Sequence, residues 1–343
     1  MATQKEISYT YDDLNELWPL ILDNPYADIT CAYYNSDYSK SLAQAQQDKH
    51  AWIFQSVGFK RGDRLIDIGC GWGPMLNAVR ERGGYGVGLT LSPKQVEACR
   101  QQELEVYLLD WKELDPTQFG KFKTVVSLGA FEHFCSVEEF SAGQQEKIYN
   151  DFFKLCYNLL SDGNFLYLQT MTWGKLLPWG NIKPTLQEFE EKYAKVTSPK
   201  FSNEWILGYL RAFFPGSWLP DSKEQIVRVA APYFELVNAS DGRLDYIQTI
   251  TEWLKAWYAP KAGKTWAKLK LLSNLVLHGR PYWHRLKSIE EKAAREVFIR
   301  NIFGHQRMFF RKREHSPFNP PYTAPISEVL FIQSGYGATT RLL

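Results

Sequence analysis

The 343-residue chain carries 40 Lys and Arg against 38 Asp and Glu, a net charge of +2, which argues against a nucleic-acid-binding protein. Its 45% hydrophobic and 23% charged residues are ordinary globular composition with enough apolar mass for a sizeable core, and no run of about 18 apolar residues is present to span a membrane. Five scattered cysteines (Cys31, Cys70, Cys99, Cys135, Cys156) without CxxC spacing suggest neither a disulfide framework nor a zinc site, and with no apolar signal segment at the N-terminus they suit a reducing cytoplasm.

From residue 64 to about 172, strand and helix signals alternate. "RLIDIG" is an apolar strand ending in glycines, and "PMLNAVRERG" follows with helical spacing and a glycine stop. "YGVGLTL" reads as a second strand. "SPKQVEACRQQ" opens a helix with Ser92 as N-cap and Pro93 at the first helical position. "VYLLD" and "KTVVSL" are the third and fourth strands, "QEKIYNDFFKLCYNLL" an amphipathic helix, and "NFLYLQTMT" the fifth strand. Such alternation predicts βαβ units, a parallel sheet and right-handed crossovers.

Residues 173–222 break the rhythm with Trp, Pro and Gly around a helical stretch, "NEWILGYLRAFF"; this reads as a lid or substrate wall inserted over the sheet. "KEQIVRVAAPY" and "FELVNAS" resume the helix–strand order. Residues 258–315 are basic and aromatic and read as helical, either a solvated helix pair or a surface for lipid headgroups or an acidic carrier protein. "SEVLFIQ" is expected as a final edge strand, and residues 1–60 as a helical cap over the sheet's ligand end.

The chemistry is concentrated in "RLIDIGCGWG". A strand that turns through Gly69, Gly71 and Gly73 into a helix brings backbone N–H groups against a ligand, as in sites for dinucleotides and for S-adenosylmethionine. The dinucleotide fingerprint needs GxGxxG and an acid about 20 residues on. Here the spacing is GxGxG, and the second strand ends in Gly88-Leu89-Thr90, which argues against NAD. Thr90 and Gln95 then stand near the sugar or amino-acid moiety. Asp67 orients the loop or lies near the ligand's ammonium, and Asp110 and Trp111 flank the adenine, Trp111 alternatively being a core ring.

These blocks resemble the cyclopropane fatty acid synthases, including the mycolic acid cyclopropane synthases. "TCAYY" at 30–34, "LIDIGCGWG", "GLTLSPKQ", "SLGAFEHF", "FPGSWLP" and "DYIQTITEW" occur in the family's order across roughly residues 8–260, with weaker similarity near "HQRMFFRKR". The resemblance implies an α/β class I methyltransferase fold: a seven-stranded, mostly parallel, Rossmann-like sheet with helices on both faces and a helical lid, in one domain. It implies S-adenosylmethionine as cofactor, with Thr30 and Gly129 joining the residues above around it. The implied reaction adds a methyl or methylene carbon to a double bond of an apolar chain.

The family's bicarbonate base, held by a Cys backbone, a Glu, a His and a Tyr, maps onto Cys31, Glu132 and Tyr246. Gln169 stands where the family has His, and glutamine carries neither a proton nor a charge to an anion. Ile29 stands where the family often has Tyr. Of the adjacent pair, Glu132 is expected to face the pocket and His133 to orient or brace it. The aromatic excess, including Tyr33, Tyr34, Phe131, Trp173 and Tyr246, suits a dry chamber that stabilises a carbocation. Loss of the histidine keeps a second reading open, methylation of a small amine by Glu132 and His133. A third reading is a binding protein that has kept the pocket. Expected partners are an apolar acyl or small-molecule substrate, free, carrier-bound or at a membrane surface, and no nucleic acid.

Overall fold

The computed structural model describes residues 3–12, 28–214, 216–259 and 292–314, with single positions at 265, 269, 276, 279 and 283. Helix α1 (Gln4–Tyr11) and helix α2 (Leu42–Val57) precede β1 (Arg64–Ile68). Then follow α3 (Pro74–Glu81), β2 (Tyr85–Thr90), α4 (Pro93–Gln101), β3 (Glu105–Leu108), β4 (Phe122–Leu128), α5 (Gln145–Leu159) and β5 (Leu160–Trp173). Helix α6 (Asn203–Phe213), α7 (Lys223–Ala230), β6 (Phe234–Asp241), α8 (Arg243–Tyr258), α9 (Ala293–Ile299) and β7 (Phe303–Lys312) complete the order. Ser92 caps α4 by accepting from the Gln95 N–H, and Pro93 opens it.

The seven strands form one sheet in the order β3-β2-β1-β4-β5-β7-β6. The strands β1 to β5 pair in parallel, and β7 runs antiparallel between β5 and β6. Order reverses between β1 and β4, so the crevice beyond their C-terminal ends is the place where such sheets bind ligands.

Both faces of the sheet are buried, which is why its strands read as continuous apolar runs. Ile66, Val125, Leu166, Leu168 and Phe310 pack on one face with Phe131, Phe152 and Phe153. Leu65, Val126, Tyr167 and Phe309 pack on the other with Phe54 and Met75. A third cluster joins α6, α8 and α9 over the C-terminal edge through Trp205, Ile206, Ile250 and Val297. All five cysteines are free and buried.

The segment expected to be helical through residue 315 instead contains β7, which lies inside the sheet. Its Phe303, Met308, Phe309 and Phe310 are buried on both faces, and that packing overrides a basic, helix-like composition. The expected edge strand "SEVLFIQ" and most of the basic stretch 260–291 lie outside the described residues.

Candidate active site

Between β1 and α3 the chain bends through three glycines at positive φ: Gly69 at 92°, Gly71 at 54° and Gly73 at 78°. A side chain at Gly69 would place its Cβ 2.2 Å from the Ala130 Cβ, and one at Gly73 would meet Leu104 at 2.5 Å. Gly71 faces open space within 4 Å, so its backbone angle alone selects glycine there. The N–H groups of Gly69 and Cys70 both donate to the Leu89 carbonyl at 2.9 Å, which holds the bend against β2.

The bend forms one wall of an open cavity of about 880 Å³. Thr30, Asp67, Gly69, Gly71, Thr90, Gln95, Trp111 and Gly129 all line it. Thr90 Oγ1 donates to Gln95 Oε1 at 2.6 Å, tying the end of β2 to the start of α4. Gly73 and Asp110 do not line it. Gly73 packs beneath Leu104, and the Asp110 carboxylate accepts from the Lys112 N–H at 2.9 Å, leaving Leu109 and Trp111 on the wall. Trp111 serves as core and wall together, tilted on Phe134 at 5.3 Å.

Asp67 is 1% exposed and its Oδ1 has no hydrogen-bond partner among the described residues. Burial pushes its carboxyl up to about 8, with the Asp28 charge adding to the effect. An orphaned carboxylate inside a polar cradle signals a cationic or hydrogen-donating ligand, and a nucleoside carrying an amino-acid tail and a sulfonium meets that requirement.

A second cavity of about 1170 Å³ joins the first through Tyr11, Ile29, Thr30, Gly129 and His133. Cys31, Glu132, His133, Gln169 and Tyr246 all line it, although they come from four separate places in the chain. Glu132 and His133 both face it, against the expectation that only one would. They sit on a 3₁₀ turn, Phe131–His133, where successive side chains are about 120° apart, so Phe131 takes the core and its two neighbours take the cavity. Glu132 accepts from Thr170 Oγ1 at 2.9 Å and from the Met171 N–H at 3.5 Å. Burial pushes its carboxyl up to about 7. Burial also holds His133 down at about 4, and its two nitrogens meet Ser217 Oγ at 2.6 Å and the Tyr11 hydroxyl at 3.1 Å.

Gln169 donates to the Cys31 carbonyl at 3.2 Å and accepts from the Tyr167 hydroxyl at 3.1 Å. Burial pushes the Cys31 thiol up to about 12, and its Sγ lies 3.5 Å from the Gly242 carbonyl, which leaves it a packed thiol rather than a nucleophile. Among the described lining residues Glu132 is the sole acid, and no Lys or Arg faces the chamber. Of the rings named from sequence, only Tyr246 lines it. Phe131 and Tyr34 are core, Tyr33 stacks on Trp52 at 4.6 Å, and Trp173 belongs to the packing behind Glu132. The rings come instead from Tyr11, Phe213, Phe214, Trp253, Trp257, Phe298 and Phe303.

Several supporting residues escaped sequence reasoning. Asp28 takes the Thr30 N–H at 2.9 Å and its hydroxyl at 2.7 Å, while its other oxygen meets Lys49 at 2.7 Å and His50 at 3.0 Å. Burial opposes ionisation of Asp28, but the Lys49 ammonium and His50 outweigh it and hold the carboxyl well below the usual range. Arg307 donates to the Ala32 carbonyl at 2.6 Å and pairs with Asp245 at 3.0 Å, pinning "CAYY" to the sheet. His305 and Arg307 alternate on one face of β7; the sequence signal for them, "HQR", needed the strand to be recognised first.

The chain matches the family model described as mycolic acid cyclopropane synthetase over residues 1–269. It is 31% identical over 260 residues to cyclopropane mycolic acid synthase 2 of Mycobacterium tuberculosis, covering 73% of this chain and 79% of that protein. The solved structure of mycolic acid cyclopropane synthase CmaA1 complexed with SAH and CTAB superposes with a TM-score of 0.68 at 25% identity, covering 90% of this chain and 98% of that one. Coclaurine N-methyltransferase bound to N-methylheliamine and SAH shares the fold, with a TM-score of 0.62 at 15% identity over 91% of this chain and 84% of that one. The glycine cradle, the ring-lined chamber and these likenesses together place the chain in the mycolic acid cyclopropane synthetase family of S-adenosylmethionine-dependent methyltransferases.

Proposed function

We propose that this enzyme adds a methyl or methylene carbon to a double bond of an unsaturated acyl chain held in the chamber. The observation that carries the reading is a lining of rings and aliphatic side chains around one carboxylate, Glu132, opening onto the glycine cradle. S-adenosylmethionine, when bound, supplies an electrophilic methyl group. Asp67, Thr90, Gln95 and the Gly69–Gly71 backbone would hold it, and Asp110 and Gly73 would act only through the loops they cap and pack.

The rest of the work belongs to the chain's own groups. Positive charge developing on an alkene carbon is stabilised by the faces of Tyr246, Phe298 and the neighbouring rings, and by Glu132 across the cavity. Leu210, Phe213 and Phe214, from the lid at 173–222, exclude water that would capture a cation. His133, tied to Tyr11 and Ser217, braces the wall between cofactor and substrate. Cys31 and Gln169 shape the floor.

Bicarbonate fits this set poorly. Glutamine stands at 169, His133 is held neutral, and no Lys or Arg is among the described lining residues to offset an anion beside Glu132, so no step is drawn through it. Delivery of the acyl chain from a membrane surface or a carrier would rest on the basic stretch 260–291. No helix among the described residues is long and apolar enough to cross a membrane.

The test is incubation with S-adenosylmethionine and vesicles of dioleoyl phosphatidylethanolamine. The expected product is an oleoyl chain heavier by one methylene that has lost its olefinic proton resonances. The same lone carboxylate amid rings would also suit an ammonium. An unaltered oleoyl chain together with methylation of a small aromatic amine would replace the first reading by N-methylation.

A further inference from the structure

We propose that His305 of β7 is the proton acceptor of the chamber, the group that removes a proton from the methylated chain. The inference rests on the acyl-chain reading above. Met171 pairs with His305 across the β5–β7 ladder, and Gln169 pairs with Arg307. His305 is therefore the diagonal neighbour of Gln169 on one sheet face, and such neighbours lie about 7–8 Å apart. Both side chains line the chamber with Glu132 and Tyr246.

The His305 ring is 2% exposed, its centroid lies 5.0 Å from that of Tyr246, and its Nδ1 has no hydrogen-bond partner among the described residues. Buried imidazoles are ordinarily tied down on at least one side. Nδ1 packs toward Gly242, where a Cβ would fall 2.3 Å from it and which does not line the chamber, so the nitrogen offered to the occupant is Nε2. Burial, with Arg307 and Lys49 adding to it, holds its pKa well below the usual histidine value, so the ring is neutral and has a lone pair to offer.

The other chamber groups are committed. Both His133 nitrogens are engaged, the Cys31 thiol is held protonated, and Glu132, tied to β5 through Thr170 and Met171, is assigned to the developing positive charge. A carbon acid beside a carbocation is strong enough for a weak base to deprotonate. The balance is simple. The proton passes from the newly attached methyl to the imidazole, the C–H electron pair closes the third ring bond, and a neutral cyclopropane forms beside an imidazolium that returns its proton to solvent.

The experiment uses the full chain, S-adenosylmethionine and dioleoyl phosphatidylethanolamine vesicles, comparing wild type with His305→Asn and His305→Gln. Expected is a loss of kcat of about 10²-fold or more. The residual product should shift from cyclopropane toward methyl-branched and hydroxylated chains, with SAH affinity by calorimetry within twofold of wild type. Retained kcat and an all-cyclopropane product in either folded variant would overturn the proposal, as would a parallel loss of SAH affinity. A second measurement needs no variant. In the SAH-saturated wild-type chain with isotope-labelled histidine, the His305 ring resonances should report a neutral imidazole from pH 6 to 8 and move when cetyltrimethylammonium enters the chamber. A ring that is charged in that range, or that ignores the occupant, equally sinks the idea. A wild-type chain that leaves the oleoyl group untouched refutes the acyl-chain reading and this proposal with it, whereas cyclopropane formed equally by wild type and the His305 variants refutes His305 alone.

Discussion

The cofactor cradle and the substrate chamber share a wall but are built in opposite ways. The cradle's glycines, Asp67, Thr90 and Gln95 come from two neighbouring, locally encoded turns, β1 into α3 and β2 into α4, each element ending where its own sequence says it should. The chamber draws on α1, the "TCAYY" loop, the 3₁₀ turn after β4, β5, α6, α8, α9 and β7. Backbone conformation dominates the first, and long-range packing the second. Damage to the cradle should therefore appear as lost cofactor affinity, and damage to the chamber as lost turnover.

The largest expected effect tests that division at Glu132. Glu132→Gln should lower kcat by about 10²–10³-fold while SAH affinity stays within twofold by calorimetry; a matched fall in both would erase the distinction between the two regions. Next comes Arg307→Met, which leaves Asp245 buried without its partner at 3.0 Å. Removing one member of a buried pair costs about 3–5 kcal/mol, read as a lower midpoint in urea unfolding. Gly69→Ala follows. The 2.2 Å approach to Ala130 and a φ of 92° should cost about 1–3 kcal/mol and weaken SAH binding more than it slows the bound enzyme.

A pH measurement sharpens the cradle side. Asp67 and Glu132 keep protons in the folded chain, up to about 8 and about 7, that the unfolded chain has released. The folded state thus binds more protons between the ordinary carboxylate range and pH 8, so this contribution is intact below that window and stability falls as pH rises through it. Asp67→Asn should flatten the fall in the cofactor-free protein, by at most about 1.4 kcal/mol per pH unit. An unchanged slope from pH 5 to 8 would remove Asp67 as its source. The smallest effect belongs to Asp110→Ala. It loses one hydrogen bond to the Lys112 N–H, about 0.5–1.5 kcal/mol, and should change cofactor affinity only slightly; a tenfold loss would restore Asp110 to the adenine site.

Much of this was legible in the chain. The strand–glycine–helix unit at 64–81, the Ser92–Pro93 helix start and the succession of five strands along the chain follow from local periodicity, capping and turn chemistry, and the structure reproduces them. The site residues that came with recognisable blocks, Cys31, Glu132, Gln169 and Tyr246, do meet in one cavity. Reasoning failed at β7, whose Lys, Arg and aromatic residues resemble an amphipathic surface segment. It also failed for the rings, because an aromatic residue in sequence carries no mark of which cavity it will face. Tyr34 and Tyr246 look alike until the fold buries one against Ala45 and turns the other toward His305.

The amino-acid order by itself determined the alternation of strands and helices and the glycine bend, because each depends on contacts within a few residues, and the resemblance of its sequence blocks implied the cofactor. Only tertiary structure decided that His133 shares the chamber with Glu132, that the Asp67 Oδ1 has no hydrogen-bond partner among the described residues, and that His305 stands beside Gln169. Those facts depend on strand pairing and burial between segments more than a hundred residues apart, where dielectric and geometry are properties of the whole fold.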